Sequence, residues 1–126
     1  MDSKLKAFCI NLLRKGTFKW KPRNEAKKRY RRPWGKFKNG NTKYGYECAI
    51  CGEIGPSKDI KMDHIDPVSP LEGFKLRGDF DLHEYAERMF CGPENFQATC
   101  SVCHDKKTKE ENKIRRLNKK KLLTKE

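Results

Sequence analysis

Four cysteines stand in two C-x-x-C pairs, Cys48-Ala-Ile-Cys51 and Cys100-Ser-Val-Cys103. Each pair lets one tight turn offer two thiolates to the same ion, and two such turns complete the tetrahedral sphere that Zn²⁺ prefers. A site closed by four sulfurs has no open position, so the metal it implies is structural and not catalytic. Cys9 and Cys91 lie outside the pairs. Cys9 reads as a small packed hydrophobe on a helix face, and Cys91 would compete with a ligand set that is already complete. The two pairs are separated by 48 residues, against the roughly 15–20 of a plain zinc ribbon. Something else must be inserted between the halves of the knuckle.

The insert and its edge hold Asp63-His64, then Glu94-Asn95-Phe96-Gln97, then His104 directly after the last cysteine. Neighbours on a strand point to opposite faces, so one of Asp63 and His64 can bind a cation while the other acts on a water beyond it. A neutral imidazole near pH 7 is the natural general base. His104, beside a zinc ligand, would be held rigidly by the knuckle. A carboxylate and an imidazole leave most of a cation's coordination sphere open to a phosphate oxygen and a leaving group. Taken singly, each residue has a plainer role. Asp63 could pair with a lysine, His64 could be a buried structural histidine, Asn95 could cap a turn, and His104 could donate to a backbone carbonyl. The joint spacing with both cysteine pairs is what favours chemistry.

These residues resemble the zinc-knuckle branch of the HNH nucleases that is common in bacteriophages. The likeness is carried by Cys48-x-x-Cys51, Met62-Asp63-His64-Ile65-x-Pro67, Glu94-Asn95-Phe96-Gln97 and Cys100-x-x-Cys103-His104-x-x-Lys107-Thr108. It spans roughly Tyr46 to Asn112, about half the chain, and is looser between Ser69 and Phe90. The resemblance implies an α+β fold with a small ββα-metal core stapled by the zinc knuckle. It implies a DNA endonuclease in which His64 activates water. Asp63 and His104 would hold one Mg²⁺ or other divalent ion, and Asn95 would orient His64 or its loop. Lys107 would contact the scissile phosphate or stay solvated. Nicking by a monomer and double-strand cleavage by a dimer are both open. The alternative is a non-catalytic, zinc-bearing nucleic-acid-binding protein, which explains the cysteines and the charge but not the Asp-His pair. A zinc deaminase would need H-x-E and P-C-x-x-C. Here Ile65-Asp66 follows His64, and Thr99 precedes Cys100.

To position such a cluster the chain needs short strands at Tyr44–Cys48 and Ile60–Ile65, with an irregular loop after Pro67 and Pro70. A helix from Asp81 would use the face Leu82, Tyr85, Ala86, Met89 and Phe90 and break at Gly92-Pro93. Asp66 would help shape the strand end, and His83 would lie on the helix surface. A strand is expected at Phe96–Thr99, then a helix capped by Ser101 and running to about Leu117, with a fraying basic tail over 118–126. Upstream, Ser3 would cap a helix with the face Leu5, Phe8, Cys9, Leu12 and Leu13, stopping at Gly16. A second, basic helix would open at Pro22, carry Arg23, Lys27, Lys28, Arg29 and Arg31, and end before Pro33. Gly35 to Lys43 reads as loop. These segments give a largely helical basic arm over 1–43, a catalytic domain over 44–117, and the tail.

Charge supports the same division. The net charge is +13, with 37% charged and 35% hydrophobic residues, too polar for a large core without a staple. Arg14 to Lys38 holds twelve Lys/Arg against Glu25 alone, and Lys106 to Glu126 holds ten. The centre, Tyr46 to His104, has five basic and eleven acidic residues. Basic flanks suit the DNA backbone, through Arg23, Lys27, Lys28, Arg29, Arg31, Arg32 and Lys107. The aromatics Phe18, Trp20, Tyr30, Trp34 and Phe37, interleaved with them, could stack on bases or sugars. The plainer reading of the same runs is a solvated surface. An acidic centre would repel DNA unless it held a cation. Lys6 and Asn11 interrupt the only apolar run near the amino terminus. A membrane surface is the lesser alternative partner of the basic runs; no membrane partner or spanning segment is expected, and the expected location is the cytoplasm, that of the host cell for a phage protein.

Overall fold

The computed structural model describes residues 2–74 and 80–124. Among these residues, two small sheets and four α-helices make a mixed α+β fold. The first helix, α1 (Ser3–Thr17), is capped by the Asp2 carboxylate, which accepts from the Lys4 N–H at 2.9 Å, so Asp2 and not Ser3 is the cap. It continues one residue past Gly16, and none of its residues is buried. Leu5, Phe8 and Leu12, the centre of the expected apolar face, are more than half exposed. The helix α2 (Lys21–Lys28) has Pro22 in its first turn and ends well before Pro33. Arg31 and Arg32 therefore leave the helix and open a strand.

That strand, β1 (Arg31–Lys36), pairs antiparallel with β2 (Thr42–Glu47), and β2 pairs with the two-residue β3 (Ile54–Gly55). The segment expected as loop is thus half hairpin, and the boundary expected near Lys43 falls inside β2. The pairing shifts register between Pro33 and Lys36, where Gly35 has a φ of +90°. A glycine in the left-handed region supplies the extra residue of a β-bulge at no steric cost. On the other face Gly45 is buried beneath Trp34 and Ile54, whose side chains stand 3.2 and 2.9 Å from where a Cβ would be.

The second sheet holds the centre of the molecule. The strands β4 (Ile60–His64) and β5 (Phe96–Cys100) pair antiparallel in the register Ile60 to Cys100, Met62 to Ala98 and His64 to Phe96. Between them lie the α3 helix (Leu82–Met89), capped by Asp81, and a 3₁₀ turn at Pro93–Asn95. The helix α4 (Ser101–Thr124) follows β5 without a break and continues beyond Leu117 through most of the expected fraying tail. Its first turn is capped by sulfur: the Cys103 N–H donates to Cys100 Sγ at 3.5 Å, a role expected of Ser101.

The core is small, as the composition requires. Ala26 of α2, Cys48, Ile60 of β4, Tyr85 and Met89 of α3, and Phe96 and Ala98 of β5 are its buried apolar residues. Burying a ring such as Phe96 contributes ~1.5–3 kcal/mol. The amino-terminal segment joins this core and does not stand apart from it. Trp20 meets Phe90 edge-on at 5.4 Å between centroids and donates its indole N–H to the Cys91 carbonyl at 2.7 Å. Among the described residues no helix is long and apolar enough to cross a membrane.

Candidate metal centre and catalytic cluster

The two C-x-x-C turns converge although 48 residues separate them. The first lies between β2 and β3 and is docked on the second sheet by the Ala49 N–H, which donates to the Ala98 carbonyl at 2.8 Å. The second joins β5 to α4. The Sγ atoms of Cys48, Cys51, Cys100 and Cys103 all lie within 4.8 Å of one another, and those of Cys51 and Cys100 are 3.8 Å apart. A tetrahedron with Zn–S bonds near 2.3 Å has edges of about 3.8 Å. The four thiols therefore fit a structural zinc ion. Burial pushes the Cys48 thiol up, but bonds from the backbone of Cys51, Cys100 and Ile50 outweigh it and bring it down to about 6. The Cys100 thiol beside it, with burial, pushes Cys103 up to about 12. Four close thiols cannot all ionise without a cation among them. Cys9 and Cys91 are no part of the cluster.

Strand alternation separates Asp63 and His64 as expected. Asp63 shares a face with its cross-strand partner Gln97, whose amide donates to Asp63 Oδ2 at 3.3 Å. His64 shares the other face with Phe96, their rings 4.6 Å apart. The His64 Nε2 is 2.9 Å from the Met89 carbonyl at the end of α3. A carbonyl only accepts, so Nε2 carries the proton and Nδ1 keeps the lone pair in the neutral ring. Burial pulls the imidazole below its ordinary value of 6.5, although the bond to Met89 and the charge of Asp63 oppose this. Burial thus favours the neutral form of the ring.

Asn95 acts on the loop after β4 and not on the imidazole. Its Oδ1 accepts from the Asp66 N–H at 2.8 Å and its Nδ2 donates to the Asp66 carbonyl at 3.2 Å. Its own carbonyl accepts from the Ile65 N–H at 2.8 Å. The two residues after His64 are thus stapled to the turn before β5. Arg88 adds a second clamp, donating to the Pro67 carbonyl at 2.7 Å and pairing with Asp66 at 2.7 Å. Arg115 and Asn118 of α4 hold the carbonyls of Ser69 and Leu71, at 2.7 and 2.8 Å. Asp66 shapes the strand end, and His83 lies exposed beside Glu87, both as expected.

Lys107 departs from expectation. Its ammonium is 2.9 Å from Asp63 Oδ2, 3.2 Å from Glu111 Oε2 and 3.0 Å from the His64 carbonyl. Three donors meet three acceptors. With its side chain only 19% exposed, Lys107 is not the solvated lysine of the plainer expectation; its ammonium is paired within the protein. Asp63 is accordingly paired with a lysine. Glu111 was missed from the sequence, although it stands on the helical face of Lys107 and His104, at i+4 and i+7. The His104 Nδ1 is buried and has no hydrogen-bond partner among the described residues, where the acid beside it is Asp105 at 3.8 Å.

The basic residues expected to bind DNA also divide. Arg32 is paired with Glu47 at 3.1 Å, and Arg23 lies over the Phe18 ring at 4.9 Å. Lys27 and Arg31 stack on Tyr46 and Tyr44, at 4.8 and 3.7 Å. Lys28 and Arg29 are exposed at the end of α2. Against this geometry, no protein-family model, no curated protein and no solved structure matches the chain.

Proposed function

We propose that the chain is a metal-dependent DNA endonuclease of the HNH type, with β4, β5 and the start of α4 as its ββα core. The observation that carries the reading is the state of His64. Its Nε2 faces the Met89 carbonyl, its strand end is pinned through Asn95, and burial favours the neutral form of the ring. Such a ring can take a proton from water at Nδ1, the step that begins hydrolysis of a phosphodiester. Asn95 and Arg88 limit the movement of that base by holding the backbone at Asp66 and Pro67. Asp63 would offer a carboxylate to a divalent cation, taking it in place of Lys107, and His104 would offer a buried nitrogen that has no partner among the described residues. Mg²⁺ or a similar ion held by Asp63 and His104 would stabilise the charge that develops on the phosphate and the leaving oxygen. The four-cysteine zinc would fix His104 through the adjoining turn.

The test is incubation with supercoiled plasmid and Mg²⁺ or Mn²⁺, beside His64→Ala shown to retain zinc, and an EDTA control. Nicked or linear product from the wild type alone, abolished by EDTA, is expected. Binding without cleavage under every divalent ion would instead favour a zinc-bearing nucleic-acid-binding protein. The Asp63–Lys107 pair supports that second reading, since it already neutralises the carboxylate.

A further inference from the structure

One face of the β1–β2 hairpin collects cations and leaves carboxylates to the other. The register sets Arg31 opposite Tyr46, Pro33 opposite Tyr44 and Lys36 opposite Thr42. On β2, Thr42, Tyr44 and Tyr46 alternate onto one face. Arg31 and Lys36 are five positions apart and would point to opposite faces of a regular strand. The bulge at Gly35 inserts one residue and returns Lys36 to the face of Arg31. Lys27 of α2 reaches the same face and lies over Tyr46, its ammonium also bonded to the Ser57 hydroxyl at 2.5 Å. Glu47, the acid of the hairpin, alternates to the opposite face, where Arg32 holds it.

Two of the three cations are held in a way that preserves their charge. Among the described residues, none of Lys27, Arg31 and Lys36 forms a salt bridge. Arg31 and Lys27 rest on aromatic rings, which fix a side chain in place without neutralising it. A cation so preorganised gives up less freedom when it meets an anion. Tyr44 stays 45% exposed, and Phe37 at the hairpin tip 55% exposed. A row of cations without ion-pair partners, two of them backed by tyrosine rings and with the acid of the hairpin on the other face, is complementary to a phosphodiester strand.

We propose that this face of the hairpin, formed by Lys27, Arg31, Lys36, Tyr44 and Tyr46, is the surface that grips the backbone of DNA. The inference rests on the nucleic-acid partner of the reading above but not on its chemistry. The experiment is fluorescence anisotropy of the full chain on a short duplex and on its single strand, without added divalent ion, over a range of salt. Arg31→Gln and Lys36→Gln should each lower the slope of log K against log salt by about 0.9 on duplex or about 0.7 on single strand. Tyr44→Leu keeps every charge, so it should weaken binding several-fold with the slope unchanged. Lys113→Gln, on exposed α4, is the control and should change neither. Slopes for Arg31→Gln and Lys36→Gln equal to wild type, or a loss in Lys113→Gln as large as theirs, would overturn the proposal in favour of diffuse attraction. Slope losses in a protein that never cleaves DNA would retain this surface and remove the nuclease reading. Cleavage by variants with unaltered slopes would do the reverse.

Discussion

Lys27 and Lys107 carry the same ammonium into opposite surroundings. Lys27 lies over a tyrosine ring and bonds a hydroxyl, with no carboxylate partner among the described residues. Lys107 is ringed by two carboxylates and a carbonyl, and its side chain is 19% exposed. The first keeps a unit of positive charge available to an outside anion. The second uses its charge to tie α4 to the end of β4. A chain of net charge +13 is therefore not uniformly adhesive to polyanions. Some of its cations are held on rings at the hairpin, some are consumed within the centre, and others, such as Lys28 and Arg29, are simply exposed.

The largest expected effect breaks the central region outright. Because α4 begins at a cysteine sulfur and β5 ends there, replacing Cys48 by serine or stripping the metal should remove the cooperative unfolding transition seen by circular dichroism. A sharp transition in protein shown by elemental analysis to be zinc-free would refute the role given to the four cysteines. Next comes chemistry. His64→Ala is expected to lower plasmid cleavage by about 10²–10⁴-fold, while leaving the zinc content unchanged.

The comparison of lysines is then tested directly by thermal unfolding. Lys107→Met leaves Asp63 and Glu111 without their shared counter-charge and should destabilise by on the order of 2–4 kcal/mol. Lys27→Met should cost less, about 0.5–1 kcal/mol, because it removes only a cation–π contact and a bond to a hydroxyl and leaves no carboxylate unpaired. Equal losses in the two variants would remove the distinction between them. The smallest effect is a shift in a pH profile. Burial lowers the His64 pKa, so its neutral form persists further into acid than a free histidine would allow. Cleavage should accordingly be sustained as pH falls towards 6.5 and be lost only below it. An acid limb centred at or above 6.5 would detach His64 from the base role.

Much of the centre was legible in the chain. Two-residue alternation separates Asp63 from His64, and the strands at Ile60 and Phe96 and the helix after Cys100 lie close to their expected places. The amino-terminal third was less so. Its basic residues and glycines have weak hydrophobic periodicity, so Arg31–Lys36 read as helix and loop although it pairs with β2. The expected apolar stripe of α1 has the right spacing, yet most of it stays exposed, because spacing describes the helix and not what covers it.

The residue types and spacings by themselves determined the four sulfurs of one metal site, the opposed faces of Asp63 and His64, and the excess of cations. These are local properties, set by turn length and strand period. Only the tertiary structure decided which cations are consumed. Lys107 meets a carbonyl 43 positions away, Asn95 secures a loop 29 positions away, and the bulge at Gly35 moves Lys36 across the hairpin. Partners so distant along the chain are chosen by packing and desolvation, which have no period to be read.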